Sequence, residues 1–260
     1  RLRRLTAVIR ERFRRRMTPQ TPAATVVYAI GDIHGRLDLL DRIQRQIADD
    51  AMHRAASYRQ VIYLGDYISR GPDSAGVVDR VREWLPEGFE RITLKGNHED
   101  LLLRFLDGEI ETGRHWLDYG GLEVMSAYGV AIADREARDD ASVIALGEGL
   151  AAHIPSPHLG FFRALQASHR CGDYFFVHGG VRPGVPLPDQ SDRDCLWIRK
   201  TFLNSDADHG AMVVHGHSIT DRPEIRDNRI GIDTGAYRSG VLTCLVLDGE
   251  ARSFLQTASP

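Results

Sequence analysis

Cysteine is scarce in this chain: Cys171, Cys195 and Cys244 are the only three in 260 residues, an odd number with no CxxC pair. That excludes a disulfide scaffold and favours a reducing compartment. Each sits among apolar neighbours, so the three are expected as free thiols filling the core rather than as ligands. Long hydrophobic runs are missing as well. No stretch of 18 apolar residues exists to span a membrane, and no apolar signal segment with a small-residue cleavage site opens the sequence. The expectation is a soluble cytoplasmic protein. Internal repeats and low-complexity segments are absent too, which excludes solenoids and arrays. At 260 residues, 42% of them hydrophobic, one α/β domain can bury a full core without a second.

Positive charge is in short supply outside the first residues. Residues 1–20 hold eight arginines against Glu11, an excess of +7, so a net charge of −3 leaves −10 on the rest of the chain. Specific nucleic-acid binding is not expected of so acidic a body. In the basic arm, Leu2, Leu5, Ile9 and Phe13 recur at helical spacing beside an arginine-rich face. Such an amphipathic helix suits an anionic membrane surface, an acidic partner, or the acidic body of its own chain. It would hold an otherwise cytoplasmic protein at the inner membrane surface in the first case. Residues 18–24, with Pro19, Pro22 and small side chains, read as a linker, giving an arm and linker over 1–24 and one domain over 25–260.

From Thr25 onward, apolar runs of strand length end at residues that carry chemistry. Runs at Thr25–Ile30, Gln60–Leu64, Arg91–Leu94, Tyr174–Val177 and Met212–Val214 precede five motifs. They are Gly31-Asp32-Ile33-His34-Gly35, Gly65-Asp66-Tyr67-Ile68-Ser69-Arg70-Gly71, Gly96-Asn97-His98-Glu99, His178-Gly179-Gly180 and His215-Gly216-His217. Helical spacing follows two of them, at Leu39, Leu40, Ile43 and Ile47 and at Val77, Val78, Val81 and Leu85. Residues 99–170 are richer in helix signals, with Glu99–Leu106, Trp116–Tyr128 and Ser142–His153 as candidates, and are expected to form a helical cap. Short strands dominate again after Tyr174, including Arg229–Asp233, Val241–Leu247 and Ala251–Leu255. Two packed sheets with helices outside result.

Carboxylate, imidazole and amide groups at strand ends can converge on one rim. Asp32 and His34, two apart, face one side of an extended segment. The Asp66 carboxylate has two oxygens with which to bridge two ions. Mixed oxygen and nitrogen donors suit hard or borderline divalent cations, and there are enough of them for two.

These motifs resemble the phosphoprotein phosphatase family of calcineurin-like metallophosphoesterases, marked by GDxHG, GDxVDRG, GNHE, HGG and a later GH. The resemblance spans Ala29 to Ala236, and the Trp116–Gly129 and Ile232–Ala236 stretches are similar to its bacterial and bacteriophage branch. It implies an α/β fold of two packed mixed sheets flanked by helices. It implies a first metal on Asp32, His34 and Asp66 and a second on Asp66, Asn97, His178 and His217. Manganese is the favoured ion, with iron and zinc as alternatives. His98 would protonate the leaving oxygen, Arg70 and Arg199 would clamp phosphate, and His215 would stand beside the ligands or face the phosphate. The implied reaction is hydrolysis of a phosphoester by in-line attack of a hydroxide held between the metals.

Ser69 departs from the pattern, which has aspartate there to orient and charge the catalytic histidine. A serine hydroxyl can hydrogen-bond His98 but cannot stabilise imidazolium as a carboxylate does. Asp73 is a nearby carboxylate that could compensate. The first functional expectation is a Ser/Thr protein phosphatase. Its rival is a symmetrical bis(5'-nucleosyl)-tetraphosphatase, whose bases would stack on rim aromatics such as Trp116, Tyr119 and Tyr237, with Arg238 beside them. A binding protein impaired by Ser69 is a third class.

Overall fold

A computed structural model describes residues 18–257, so the arginine-rich helix expected over residues 1–16 lies outside the described residues. Two five-stranded sheets make the centre. The first has strand order β10-β9-β1-β2-β3 and the second β4-β5-β6-β8-β7. In chain order the strands are β1 (Thr25–Ile30), β2 (Tyr58–Tyr63), β3 (Phe89–Thr93), β4 (Ser168–Cys171), β5 (Tyr174–Val177), β6 (Met212–His215), β7 (Glu224–Ile225), β8 (Arg229–Gly231), β9 (Thr243–Asp248) and β10 (Ala251–Gln256). Strands β1, β2 and β3 run parallel, as do β5, β6 and β8, while β9, β10, β4 and β7 pair antiparallel. Both sheets are mixed.

Strand alternation divides the core into layers. Val27 and Ala29 of β1 join Ile62, Leu64, Phe176, Val214 and Ile230 between the sheets. Their neighbours Val26, Tyr28 and Ile30 face the other way, onto helices. Val213 and Phe175 face outward from the second sheet onto Phe202 and Cys195. The order is therefore helix, sheet, sheet, helix. All three cysteines are free and buried, one in each of these clusters.

Helix α1 (Leu37–Met52) buries Leu39, Leu40, Ile43 and Ile47, the stripe that the spacing marks out. Helix α2 (Ser74–Glu83) starts where the Asp73 carboxylate accepts from Gly76 N at 2.8 Å. Between β3 and β4 come five helices: α3 (Asn97–Leu106), α4 (Ile110–Trp116), α5 (Leu122–Ala127), α6 (Asp140–His153) and α7 (Ser156–Ala164). The expected cap is this run, and its Phe105, Trp116, Met125, Val143 and Phe162 share one core with α1 and α2. The cap thus continues the outer helical layer.

The single helix expected over Trp116–Tyr128 is broken. Leu117–Gly121 forms a wide turn between α4 and α5, with Gly120 at φ 106°, a conformation open to glycine and not to a helix. Residues 19–22, expected as a linker, are tied down: Thr21 N donates to Gly249 O at 3.1 Å, and the Tyr174 hydroxyl donates to Pro19 O at 2.9 Å. Among the described residues no helix is long and apolar enough to cross a membrane.

Candidate active site

All five motifs lie at or just past the carboxyl ends of parallel strands, and the two rims meet. Asp32 and His34 follow β1, Asp66 follows β2, Asn97 and His98 open α3 after β3, His178 follows β5, and His217 follows β6. Backbone bonds lace the loops together, with His34 N donating to Asp66 O at 2.8 Å and Gly216 N to His178 O at 2.9 Å. Side chains join the sheets. His178 Nδ1 meets Leu64 O at 2.9 Å, and His217 N lies 3.1 Å from both oxygens of Asp32.

Backbone strain is concentrated here. Among the described residues six non-glycine residues have positive φ, and five of them are His34, Asp66, Ser69, Arg70 and His217. Left-handed conformations at such residues persist only where surrounding contacts hold them. His34, at φ 47°, is not extended, so it reaches the cluster with Asp32 through this turn rather than by strand alternation.

Two groups of donors emerge. Ligand atoms of His34, Asp66 and His98 lie within 4.8 Å of one another, and so do those of Asp66, His178 and His217. Asp66 belongs to both, with Oδ2 3.4 Å from His34 Nε2 and Oδ1 3.5 Å from His178 Nε2. Asn97 Oδ1 is 2.9 Å from His178 Nε2, and Asp32 borders the cluster through His217 N. Nδ1 of both His34 and His178 is occupied by a backbone carbonyl, at 2.9 Å in each case, which leaves Nε2 facing inward.

Burial sets the charge states. It pushes His34 down to about 3 and His178 to about 4, and drives His98 and His217 down as well, so the rings are neutral donors at pH 7. Burial raises Asp66 to about 7, assisted by Asp233, while the amide of His98 at the α3 N-terminus pulls it back. Asp32 is raised by burial and by the charges of Asp233 and Asp66. A cluster of buried carboxyls crowded together, with neutral imidazoles turned inward, fits divalent cations: positive charge there relieves the repulsion and the desolvation at once.

Arginines flank the cluster. Arg199 Nε is 2.8 Å from His217 Nε2. Arg70 donates to the Tyr237 hydroxyl at 2.6 Å, with its guanidinium 4.7 Å from the Tyr237 ring centre. The family model of calcineurin-like phosphoesterases matches residues 25–234.

The chain belongs to the calcineurin-like phosphoesterases. It is 26% identical over 227 residues to the asymmetrical bis(5'-nucleosyl)-tetraphosphatase PrpE of Oceanobacillus iheyensis, covering 82% of this chain and 85% of that one. Serine/threonine-protein phosphatase 2 of Escherichia coli strain K12 is 25% identical over 231 residues, with 84% and 90% covered. A protein serine/threonine phosphatase from Saccharomyces cerevisiae, with similarity to human phosphatase PP5, shares the fold with a TM-score of 0.54 at 14% identity, over 91% of this chain and 81% of that one. The tetraphosphatase relative is named asymmetrical, whereas the rival expectation from the sequence was a symmetrical enzyme.

Within this phosphoesterase three expectations about particular residues change. Ser69 does not pair with His98. Its hydroxyl accepts from Trp116 Nε1 at 3.1 Å, and His98 Nδ1, though buried, has no hydrogen-bond partner among the described residues. Asp73 does not compensate, being the cap of α2. His215 ends β6 on the same face as Val213, packs edge-on against Phe202 at 5.1 Å and bonds Gly216 O, so it faces the outer layer and not a phosphate.

Sequence reasoning missed the roles of Glu99 and Asp233. The Glu99 carboxylate accepts from the amides of Asp66, Tyr67 and Gly96 at 2.9 Å and of Ile68 at 3.3 Å, gathering two metal-motif loops onto α3. Its place beside Asn97-His98 was the available signal. Asp233 follows β8 on the same rim and is 3% exposed beside Asp32; the position of an aspartate just past a strand was the clue.

Proposed function

We propose that this phosphoesterase hydrolyses substrates whose leaving group needs little protonation, the phosphoanhydride of a dinucleoside tetraphosphate or an aryl phosphate, ahead of phosphoserine. The observation that carries this is the unpartnered Nδ1 of His98. A general acid contributes about 10²–10⁴ in rate, but only if its protonated form is available. Burial first, then the nearby His34 and Arg70, drives His98 toward its neutral form, and no carboxylate among the described residues is hydrogen-bonded to its Nδ1. A polyphosphate leaves as a stabilised anion, whereas a serine alkoxide needs the proton.

In this reading Asp32, His34 and Asp66 hold one cation, and Asp66, Asn97, His178 and His217 the other. Bound there, the cations supply Lewis acidity and an activated water nucleophile. The chain's own residues do the rest. Arg70 and Arg199 donate to phosphoryl oxygens as charge is redistributed. Left-handed Ser69 and Arg70 aim that guanidinium, and Tyr237 braces it. His98 donates what proton it can to the departing oxygen. Manganese is our choice of activating ion over iron or zinc, since the oxygen and nitrogen donors admit all three and the family resemblance favours it.

A Ser/Thr phosphoprotein is the second reading. A groove of about 570 Å³ lined by Asp100, Arg104, Asp192, Arg193, Leu196 and Trp197 favours it. Trp197 stands edge-on to His217 at 6.4 Å, so the groove opens beside the cluster and has room for a polypeptide.

Manganese-dependent phosphate release from diadenosine tetraphosphate, an aryl phosphate and a phosphoserine peptide, with Asp66→Asn as the blank, tests the order. A peptide turned over faster than both others would reverse it. Binding without turnover of any would leave the impaired binding protein. For the arginine-rich segment we propose an anionic membrane surface inside the cell, tested by co-pelleting with anionic vesicles before and after deletion of residues 1–16.

A further inference from the structure

Of the aromatic residues that sequence places near the rim, the fold disposes of two. Trp116 is fully buried with its indole N–H on Ser69, and the Tyr237 ring is covered by Arg70 and stands edge-on to His34 at 5.4 Å. Tyr119 remains, 53% exposed, its ring 4.6 Å from that of His115. A single exposed aromatic side chain needs no explanation by itself. This one is held in an unusual way.

Tyr119 and Gly120 break the helical path between α4 and α5, with Tyr119 at φ −113° and Gly120 at φ 106°. The break presses Gly120 against the active-site loop: a Cβ at Gly120 would lie 2.5 Å from Arg70 N and 3.1 Å from Ser69 Cβ. Neighbouring Cα atoms are about 3.8 Å apart, so the backbone of Tyr119 lies one residue from the contact with the loop that carries Arg70. The turn is anchored on both sides, by Trp116 on Ser69 and by Arg138 Nη2 donating to Asp118 at 2.8 Å.

We infer that Tyr119, backed by His115, is the platform on which the nucleobase of a nucleotide substrate stacks while Arg70 holds its phosphate. The inference rests on the phosphohydrolase reading of the cluster and names its substrate-recognition residue. A base has an apolar face for Tyr119, and stacking discriminates nucleotides from phosphate esters without a ring.

The test uses full-length, manganese-loaded protein and two ligands that share phosphate and ribose, adenosine 5'-monophosphate and ribose 5-phosphate. Stacking on one aromatic ring should give the nucleotide an advantage of about tenfold in Kd. Tyr119→Ala should remove that advantage and leave ribose 5-phosphate binding unchanged, and Tyr119→Phe should keep it. Equal affinity for both ligands in the unmodified protein, or an advantage that survives Tyr119→Ala, would overturn the platform. Because the readout is binding, a platform seen in a protein that does not turn over diadenosine tetraphosphate would still support it. The substrate order proposed above would then fail alone.

Discussion

The Trp116 indole donates its N–H to Ser69 Oγ at 3.1 Å, and both residues are completely buried. This bond joins the helical layer to the strained loop that carries Arg70. The Ser69 hydroxyl is the acceptor in this bond, and His98 Nδ1 has no hydrogen-bond partner among the described residues.

Two substitutions at Ser69 should therefore separate stability from chemistry. Ser69→Ala leaves a buried indole N–H without an acceptor and should cost about 1–3 kcal/mol in urea denaturation. Ser69→Asp supplies an acceptor for Trp116 and a charge near His98. It should raise kcat on a phosphoserine peptide by about tenfold or more relative to an aryl phosphate, within the range of general-acid effects. An equal change on both substrates would remove the argument from His98.

Glu99 touches no proposed substrate group, yet its carboxylate organises the amides around Asp66. Glu99→Gln replaces one acceptor oxygen by an NH₂ that confronts backbone N–H groups. Manganese affinity should fall about 10–100-fold by titration calorimetry, as for other residues that orient metal ligands. Circular dichroism should show the fold retained.

A Cβ at Gly216 would lie 2.1 Å from Asp32 Oδ1. Gly216→Ala should push the Asp32 carboxylate off the amide of His217 and reduce kcat by about 10²-fold, the scale of a misplacement near 1 Å. Since Gly160 meets nothing within 4 Å, Gly160→Ala is the control and should leave activity unchanged.

The buried charges predict how metal removal changes the pH dependence of stability. Asp66 and Glu99 are raised by burial to about 7 and about 8. A carboxyl raised on folding contributes stability below its unfolded value near pH 4 and loses it as pH rises through the folded value. Depressed histidines work in the other direction: His34 and His178, at about 3 and 4, contribute above about pH 6.5 and lose this as pH falls. Between about pH 6.5 and 8 the histidine contribution is complete and only the carboxyls impose a slope. Chelator-treated protein should lower its Tm across that interval. Saturating manganese, which binds the ionised carboxylates, should flatten or reverse the trend.

Sequence alone determined the strand-end placement of Asp32, Asp66, Asn97, His178 and His217. An apolar run of strand length followed by glycine and a ligand-type residue is a local pattern, and parallel strands bring their ends to one rim. It likewise determined the α1 stripe at Leu39, Leu40, Ile43 and Ile47, since helical periodicity needs no distant partner. What only the tertiary structure decided lies in contacts between distant segments. The break at Gly120 is set by packing on Arg70, 50 residues away. The partner of Ser69 turned out to be Trp116, because a buried indole N–H needs an acceptor and this hydroxyl is within reach. His215 was turned away from the phosphate by the register of β6, which fixes the face on which each side chain stands. Periodicity reports which way a side chain faces within its own element, whereas the partner it meets depends on how the elements pack.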